Sequence, residues 1–287
     1  MKYILARAIE HFTEDSPNEV SLAMVAGGDI NDAYRVNYEG RVLFAKSNSA
    51  SRYRGMFAAE AKGLELLSES PLLVPEVIGV YQENDTSVLL LEWINSGTRT
   101  DQFWFEFGAK LAQMHRMTNA HFGLNEDNYM ARFKQSNTLT DSWDEFFFSQ
   151  RIEPQLKMAM TQNLLSPEDL KRAESICQKA NEFFVQEAPS LLHGDLWKGN
   201  FICNANSEAV LVDPAVYYGH RLMDLGMTRL FGGFHDLFYE GYESVYVLPY
   251  QWKASADIAN LYPLLVHVNL FGGGYIEQVR TILKAFD

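Results

Sequence analysis

The sequence predicts an α+β chain of two lobes, a small β-rich one followed by a larger, mainly helical one, and three observations lead there. Strand-length apolar runs separated by turn residues occupy 20–94, helix-length runs with a 3.6-residue period fill most of the chain beyond, and Asn95-Ser96-Gly97 divides the two patterns. Residues 1–94 and 95–287 are therefore the expected lobes, and the cleft between them is a natural place for a small ligand. At 287 residues and 47% hydrophobic, the chain is long enough to bury a sizeable core.

In the first lobe, strands are expected at 21–25, 33–38 and 41–46, with a Gly27-Gly28 break after the first and a turn at Glu39-Gly40 after the second. A helix follows at 56–68, where Phe57, Ala61, Leu64 and Leu67 recur on one face that also carries Glu60. A further strand at 88–91 closes the lobe. Beyond it, helices are expected at about 103–117, 142–160, 168–186, 235–246, 256–270 and 275–285. One β-like insert at 201–212 interrupts them, with an Asn- and Ser-rich turn in its middle.

Composition narrows the function. With 24 Lys and Arg against 37 Asp and Glu, the net charge of −13 and the lack of a basic cluster argue against nucleic-acid binding. Cys177 and Cys203 fall in a helical stretch and a short apolar run, a pattern of buried thiols and not of a disulfide framework. Arg7 and Glu10 interrupt any leader-like apolar run at the start. The strongest apolar stretch, 88–91 continuing to Trp93 and Ile94, is far short of the ~18 residues of a membrane helix. A cytoplasmic protein with neither nucleic-acid nor membrane partners is expected.

The strongest motif is His193-Gly194-Asp195-Leu196-Trp197-Lys198-Gly199-Asn200, which matches the H-x-D-x-x-x-x-N catalytic loop of kinases in an H-G-D form. Four fixed residues would arise by chance in roughly two in a thousand chains of this length, so the match is informative alone. Asp195 is the candidate acceptor of a hydroxyl proton, and Asn200 a candidate ligand of Mg²⁺ on the phosphates of ATP. Asp213-Pro214-Ala215, at the end of the β-like insert, stands where kinases of proteins carry Asp-Phe-Gly, making Asp213 the second metal candidate. Taken alone, an aspartate before proline reads as a turn residue; its order after Asp195 and Asn200 favours the ligand. Lys46 shares strand parity with Val42 and Phe44, and Glu60 lies on an apolar helix face. Burying either charge singly costs several kcal/mol, so a Lys46–Glu60 ion pair that sets the lysine on the ATP phosphates is expected over two snorkelling surface charges.

Other residues are expected from position. Gly27, Gly28 and Asn31 lie at the first hairpin turn, where a loop covering the nucleotide would sit, although the run does not match G-x-G-x-x-G. Glu92, Trp93 and Ile94 follow the last strand of the lobe as a hinge for adenine. His193 is expected to brace its loop through backbone hydrogen bonds, and Trp197 either packs inward or walls the substrate site. His115 and the runs 103–107 and 146–148 read as helix packing.

Longer segments carry a more specific likeness. Leu191 through Trp197, Asp213-Pro214-Ala215-Val216-Tyr217-Tyr218-Gly219-His220-Arg221, the run from Asp224 to Phe234 and Asn269-Leu270-Phe271-Gly272-Gly273-Gly274-Tyr275 resemble the fructosamine kinase family. Likeness extends to Gly27 through Asn31 with Ala33-Tyr34 and to 57–64, so it covers most of the chain. The resemblance implies the bilobal protein-kinase-like fold shared with aminoglycoside and choline kinases. It implies ATP and Mg²⁺ as requirements, Asp195 as proton acceptor and a ketosamine as phosphoryl acceptor. It places Trp197, His220, Arg221 and His267 on the substrate side. Leu222, where the family usually has Glu, and Val266, where Asn is common, depart from the pattern on that side. An aminoglycoside- or choline-type kinase is the neighbouring alternative; a non-catalytic kinase-like module would be expected to have lost Lys46, Asp195, Asn200 or Asp213, all of which are present.

Overall fold

The structure, a computed structural model, describes residues 1–13, 19–25 and 30–286. It opens with a helix, α1 (Lys2–Thr13), followed by the strands β1 (Val20–Met24), β2 (Asp32–Tyr38) and β3 (Arg41–Ser49), the helix α2 (Met56–Ser68), and the strands β4 (Val77–Glu83) and β5 (Thr86–Glu92). The five strands form one antiparallel sheet in the order β1-β2-β3-β5-β4. At the β2–β3 hairpin, Glu39 and Gly40 both take positive φ (47° and 79°), the primed-turn geometry that matches strand twist.

Strand parity divides the lobe into layers. Leu43, Ala45, Val88 and Leu90 face α1, which buries Leu5, Ala8 and Ile9 against them. Phe44, Leu89 and Leu91 face the other way, onto Phe57, Ala61 and Leu64 of α2. This explains why β5 reads as an unbroken apolar run: helices cover both of its faces. Neither α1 nor β4 is among the sequence expectations, and both are needed to complete this packing. The helix at 56–68 has the expected bounds, and Glu60 projects from it into the sheet side near Lys46.

The second lobe is mainly helical. It begins with α3 (Asp101–Met114), whose first turn is capped by Thr100 Oγ1 accepting from the Phe103 N–H at 3.1 Å. A short hairpin of β6 (Asn128–Met130) and β7 (Phe133–Gln135) follows. The helix expected at 142–160 is one continuous helical run of three parts, α4 (Trp143–Phe146), a π-helical turn Phe147–Ile152 and α5 (Glu153–Thr161). The stretch at 168–186 is broken into α6 (Pro167–Gln178) and α7 (Ala180–Phe183). Next come β8 (Ser190–Leu192), the hairpin β9 (Phe201–Cys203) and β10 (Ala209–Leu211), then β11 (Tyr217–Gly219), which returns to pair with β8. The chain finishes in α8 (Leu222–Met227), α9 (Asp236–Val245), α10 (Trp252–Ala259), α11 (Leu261–Phe271) and α12 (Gly274–Phe286). Most of the core lies in this lobe, where Phe103, Phe107, Phe146, Phe147, Tyr217, Phe238 and Tyr242 are fully buried.

Backbone hydrogen bonds fix the β9–β10 hairpin next to the junction of the lobes. The Leu211 N–H donates to Leu73 O at 2.8 Å and ties β10 to the small lobe, while the Gly97 N–H donates to Cys203 O at 2.8 Å and ties the segment entering the second lobe to β9. Cys177 and Cys203 are buried free thiols, and burial pushes the Cys177 thiol up to about 12. Among the described residues, no helix is long and apolar enough to cross a membrane.

Candidate active site

Lys46 of β3 reaches two carboxylates at once. Its Nζ lies 2.6 Å from Glu60 Oε1 on α2 and 2.6 Å from Asp213 Oδ1, just past β10. The Lys46 and Glu60 side chains are 7% and 10% exposed, whereas Asp213 is 47% exposed and open to solvent. Burial alone would lower the ammonium pKa, but Asp213 and then Glu60 outweigh it and hold Lys46 above its usual range. Asp213 has φ +57°, a left-handed conformation uncommon outside glycine, which turns the chain sharply between β10 and Pro214.

The His193–Asn200 loop connects β8 to β9. Asn200 Nδ2 donates to Asp195 at both its backbone O (2.9 Å) and Oδ2 (2.8 Å), folding the loop so that the two side chains of the motif meet. The Val212 N–H donates to Asn200 O at 3.1 Å, which sets the loop beside the segment carrying Asp213. Burial raises the Asp195 carboxyl to about 7, with Asp213 adding to it and Asn200 opposing. His193 braces the loop as expected from the sequence: its Nε2 donates to Val212 O at 2.9 Å and its Nδ1 accepts from the Asp195 N–H at 3.2 Å. Burial keeps that ring neutral by lowering its pKa.

A residue without a sequence-assigned role holds this arrangement from behind. Asp224 of α8 is fully buried, and its Oδ2 and Oδ1 accept the backbone N–H groups of His193 at 2.8 Å and Gly194 at 2.9 Å. Gly194 has φ +82°, and a Cβ there would collide with the carbonyl oxygen of Ala215, so only glycine fits between Asp224 and β11. His115, the C-cap residue of α3, also expected only to pack, lies with Nε2 3.2 Å from Asp224 Oδ2 and Nδ1 2.8 Å from Tyr242 Oη. Burial lowers the pKa of His115, consistent with a neutral ring that donates to Asp224 and accepts from Tyr242. The sequence signal available for Asp224 is its place in the apolar run Leu222–Met227, where a buried carboxylate requires donors.

The fructosamine kinase family model matches residues 1–286. The chain belongs to this family. Fructosamine kinases are ATP-dependent phosphotransferases, and relatives agree over nearly the full length. A protein of Enterococcus faecium named "Probable ketoamine kinase" is 36% identical over 266 residues, covering 91% of this chain and 94% of the relative. The "Protein-ribulosamine 3-kinase, chloroplastic" of Arabidopsis thaliana is 35% identical over 283 residues, 96% and 85% of the two chains. Among solved structures, a candidate fructosamine-3-kinase from Thermobifida fusca superposes with TM-score 0.86 at 33% identity, over 98% of each chain. An aminoglycoside phosphotransferase, at TM-score 0.64 and 13% identity over 99% of each chain, shares the protein-kinase-like fold.

The remaining residues expected of a fructosamine kinase site divide by geometry. Trp197 is half-buried in the loop, and its ring meets Phe231 edge to face at 5.9 Å. His267 of α11 touches the same Phe231 at 4.9 Å. His220 and Arg221 instead are 2% and 1% exposed and are taken up by packing. His220 Nε2 donates to Val185 O at 3.1 Å between the rings of Trp143 and Phe184. Arg221 makes a two-pronged bond to Glu187 (2.8 and 2.7 Å), donates to Val247 O and stacks on Tyr246 at 3.7 Å. Neither reaches the cleft, so the sequence expectation for this pair is not met by the geometry. Asn31 accepts from Asn48 Nδ2 at 3.0 Å, two residues along β3 from Lys46. Glu92 pairs with Glu76 through backbone N–H to O at 2.9 Å, and Trp93 lies under the Arg35 guanidinium at 5.2 Å, with Ile94 half-buried after it. Gly27 and Gly28 fall outside the described residues.

Proposed function

We propose that the chain phosphorylates a sugar hydroxyl, O3, of fructosamines or ribulosamines, with residues 1–94 binding nucleotide and residues 95–287 supplying the chemistry and the acceptor site. The observation that carries this reading is the joining of Asp195, Asn200, Asp213, Lys46 and Glu60 in one cleft of a fructosamine kinase. A carboxylate near 7 is matched to taking a proton at physiological pH. In this reading Lys46 holds the ATP phosphates, Glu60 orients Lys46, Gly27, Gly28 and Asn31 cover the phosphates, and the backbone of Glu92, Trp93 and Ile94 meets adenine.

The donors suit Mg²⁺. Asp213 keeps a second carboxylate oxygen beyond its Lys46 contact, and Asn200 spends its amide nitrogen on Asp195, leaving its amide oxygen for a hard cation. Two oxygen ligands are enough for an ion that retains waters and phosphate oxygens in its other positions. When bound, Mg²⁺ neutralises charge on the phosphates. The protein's own part is positioning: Asp195 accepts the O3 proton as O3 bonds to the γ-phosphorus and the bond from that phosphorus to the β-bridging oxygen breaks, releasing ADP.

The product explains a use for the reaction. In a ketosamine the nitrogen is on C1 and the carbonyl at C2. Once O3 carries phosphate, tautomerisation to the 1,2-enaminol lets the nitrogen lone pair expel phosphate from C3. Water then hydrolyses the resulting imine and frees the amine. Phosphorylation thus reverses glycation of metabolites or proteins without a hydrolase. The test is incubation with ATP, Mg²⁺ and a glucose- or ribose-derived ketosamine while ADP, phosphate and amine are followed in time. ADP should appear first, with amine after a lag. Brisk ADP release with an aminoglycoside or choline, and none with any ketosamine, would overturn the reading.

A further inference from the structure

Phe231 occupies a position its side chain does not favour. The Gly233 N–H donates to Leu230 O at 3.2 Å, closing a turn whose central residues, Phe231 and Gly232, have φ +53° and +100°. Positive φ at both central positions is the primed-turn pattern, which asparagine and glycine fill easily and a bulky aromatic does not. A large ring kept in a left-handed backbone, and still 36% exposed, is being presented rather than packed.

What it is presented to is a run of rings that begins at the catalytic loop. Phe231 meets Trp197, two residues after Asp195, at 5.9 Å and 83°, and His267 at 4.9 Å. His267 continues to Phe271 at 5.7 Å and Tyr275 at 4.9 Å. Phe271, at the end of α11, is 54% exposed. His267 Nδ1 donates to Pro263 O at 2.7 Å, which leaves Nε2 an acceptor, and burial lowers the ring's pKa so that it remains neutral. The rings named are uncharged, and His267 offers one acceptor nitrogen among them.

We propose that Phe231 and Phe271, with Trp197 and His267, form the subsite for the amine-bearing half of the ketosamine and select nitrogen substituents with an aromatic or apolar carbon skeleton. The inference rests on the proposed ketosamine acceptor. With O3 at Asp195, the secondary ammonium on C1 is three bonds from C3, on the side of the loop where Trp197 begins the ring series. Aromatic faces attract such a cation without the desolvation that a carboxylate would impose. Beyond the nitrogen, the exposed faces of Phe231 and Phe271 offer apolar contact to whatever the amine carries.

The experiment compares parent, Phe231→Asn and Phe271→Ala on two ketosamines made from the same sugar, one with benzylamine and one with methylamine. The parent should show a KM for the benzyl compound about tenfold below that for the methyl one, the size of discrimination apolar pockets give. In Phe231→Asn the loss in kcat/KM should be about tenfold greater for the benzyl compound and should lie in KM. Asparagine suits the turn, so Tm should be equal or higher; Phe271→Ala should lose in the same direction. Equal losses on both substrates, no loss, or a drop in Tm with parallel losses would overturn the inference while leaving ketosamine phosphorylation intact. No turnover of either compound by the parent would remove the acceptor reading and this inference with it.

Discussion

Lys46 and Asp213 stand 2.6 Å apart, 167 residues distant in sequence, so a strand of the small lobe is tied by one ion pair to the candidate metal ligand of the large one. Because Glu60 holds the same ammonium at 2.6 Å, the pair is part of a three-member cluster whose inner two members are almost wholly buried.

Lys46→Met should therefore act on both stability and nucleotide use. Glu60 would keep its burial and lose its cation, at a cost of about 3 kcal/mol in denaturant unfolding. The kcat/KM for ATP should fall at least about tenfold, since the phosphates lose a positioned charge. Parent-like kinetics together with parent-like stability would exclude a working role for the cluster.

Asp195→Asn should separate activity from stability. Removing the proposed proton acceptor should reduce kcat by about 10² or more with ADP affinity close to that of the parent. The parent carboxyl is raised to about 7 in the fold, so the native state binds the extra proton between the unfolded value and about 7, and stability declines as pH rises through that window. Asparagine removes that penalty, and the variant should be more stable at pH 8 by about 1 kcal/mol, a figure kept small by the partial exposure of the site. Turnover above a tenth of the parent rate would defeat the assignment.

Asp224→Asn retains size but offers one acceptor oxygen where two backbone N–H groups and His115 now donate. A buried donor left unpaired costs about 1–3 kcal/mol, so the thermal midpoint should drop and kcat should fall about tenfold or more as the loop loses its support. ATP KM should move much less, because Asp224 holds the backbone of the loop while the proposed phosphate holder is Lys46. Loss confined to ATP KM would place the residue elsewhere in the mechanism.

His220 gives the fold an acid-sensitive point. Burial holds its pKa at about 4, well below the value for an unfolded chain, so between about 6.5 and 4 the unfolded state binds the proton and the native state does not. Its contribution, about 3 kcal/mol when complete, is present above pH 6.5 and is lost as pH falls through that window. Urea midpoints measured from pH 7 to 5 should decline, and His220→Gln, which cannot take up the proton, should flatten the slope. An unchanged slope would show that His220 is protonated in the native protein.

Local patterns carried much of this into the sequence. The helix at 56–68 was legible because four apolar residues repeat at its buried face, and the Lys46–Glu60 pair followed because each charge sat on an apolar face where burial without a counter-charge is costly. The turn-rich insert ending at Asp213 was legible as a hairpin for the same local reasons. What escaped was nonlocal. The function of α1 is to cover β5, which no residue of α1 itself reveals, and Asp224 meets the His193 loop only because β11 returns to pair with β8. His220 and Arg221 misled because they adjoin a motif in sequence while their side chains turn toward Val185 and Glu187.

The long sequence separation of Lys46 and Asp213 also sets an order of assembly during synthesis. Every strand of the five-stranded sheet has emerged by Glu92, so the sheet can form early from nearby pairings. At ribosomal speeds of about 5–20 residues per second, Asp213 follows Lys46 by roughly 10 to 30 s. Through that interval the nascent small lobe holds its buried ammonium with Glu60 as the one carboxylate of the cluster yet made. The clasp between the lobes is thus among the later ion pairs to close, and a ribosome-bound chain stopped short of Asp213 should carry a small lobe that is folded but more easily cleaved by protease than the same residues in the finished protein.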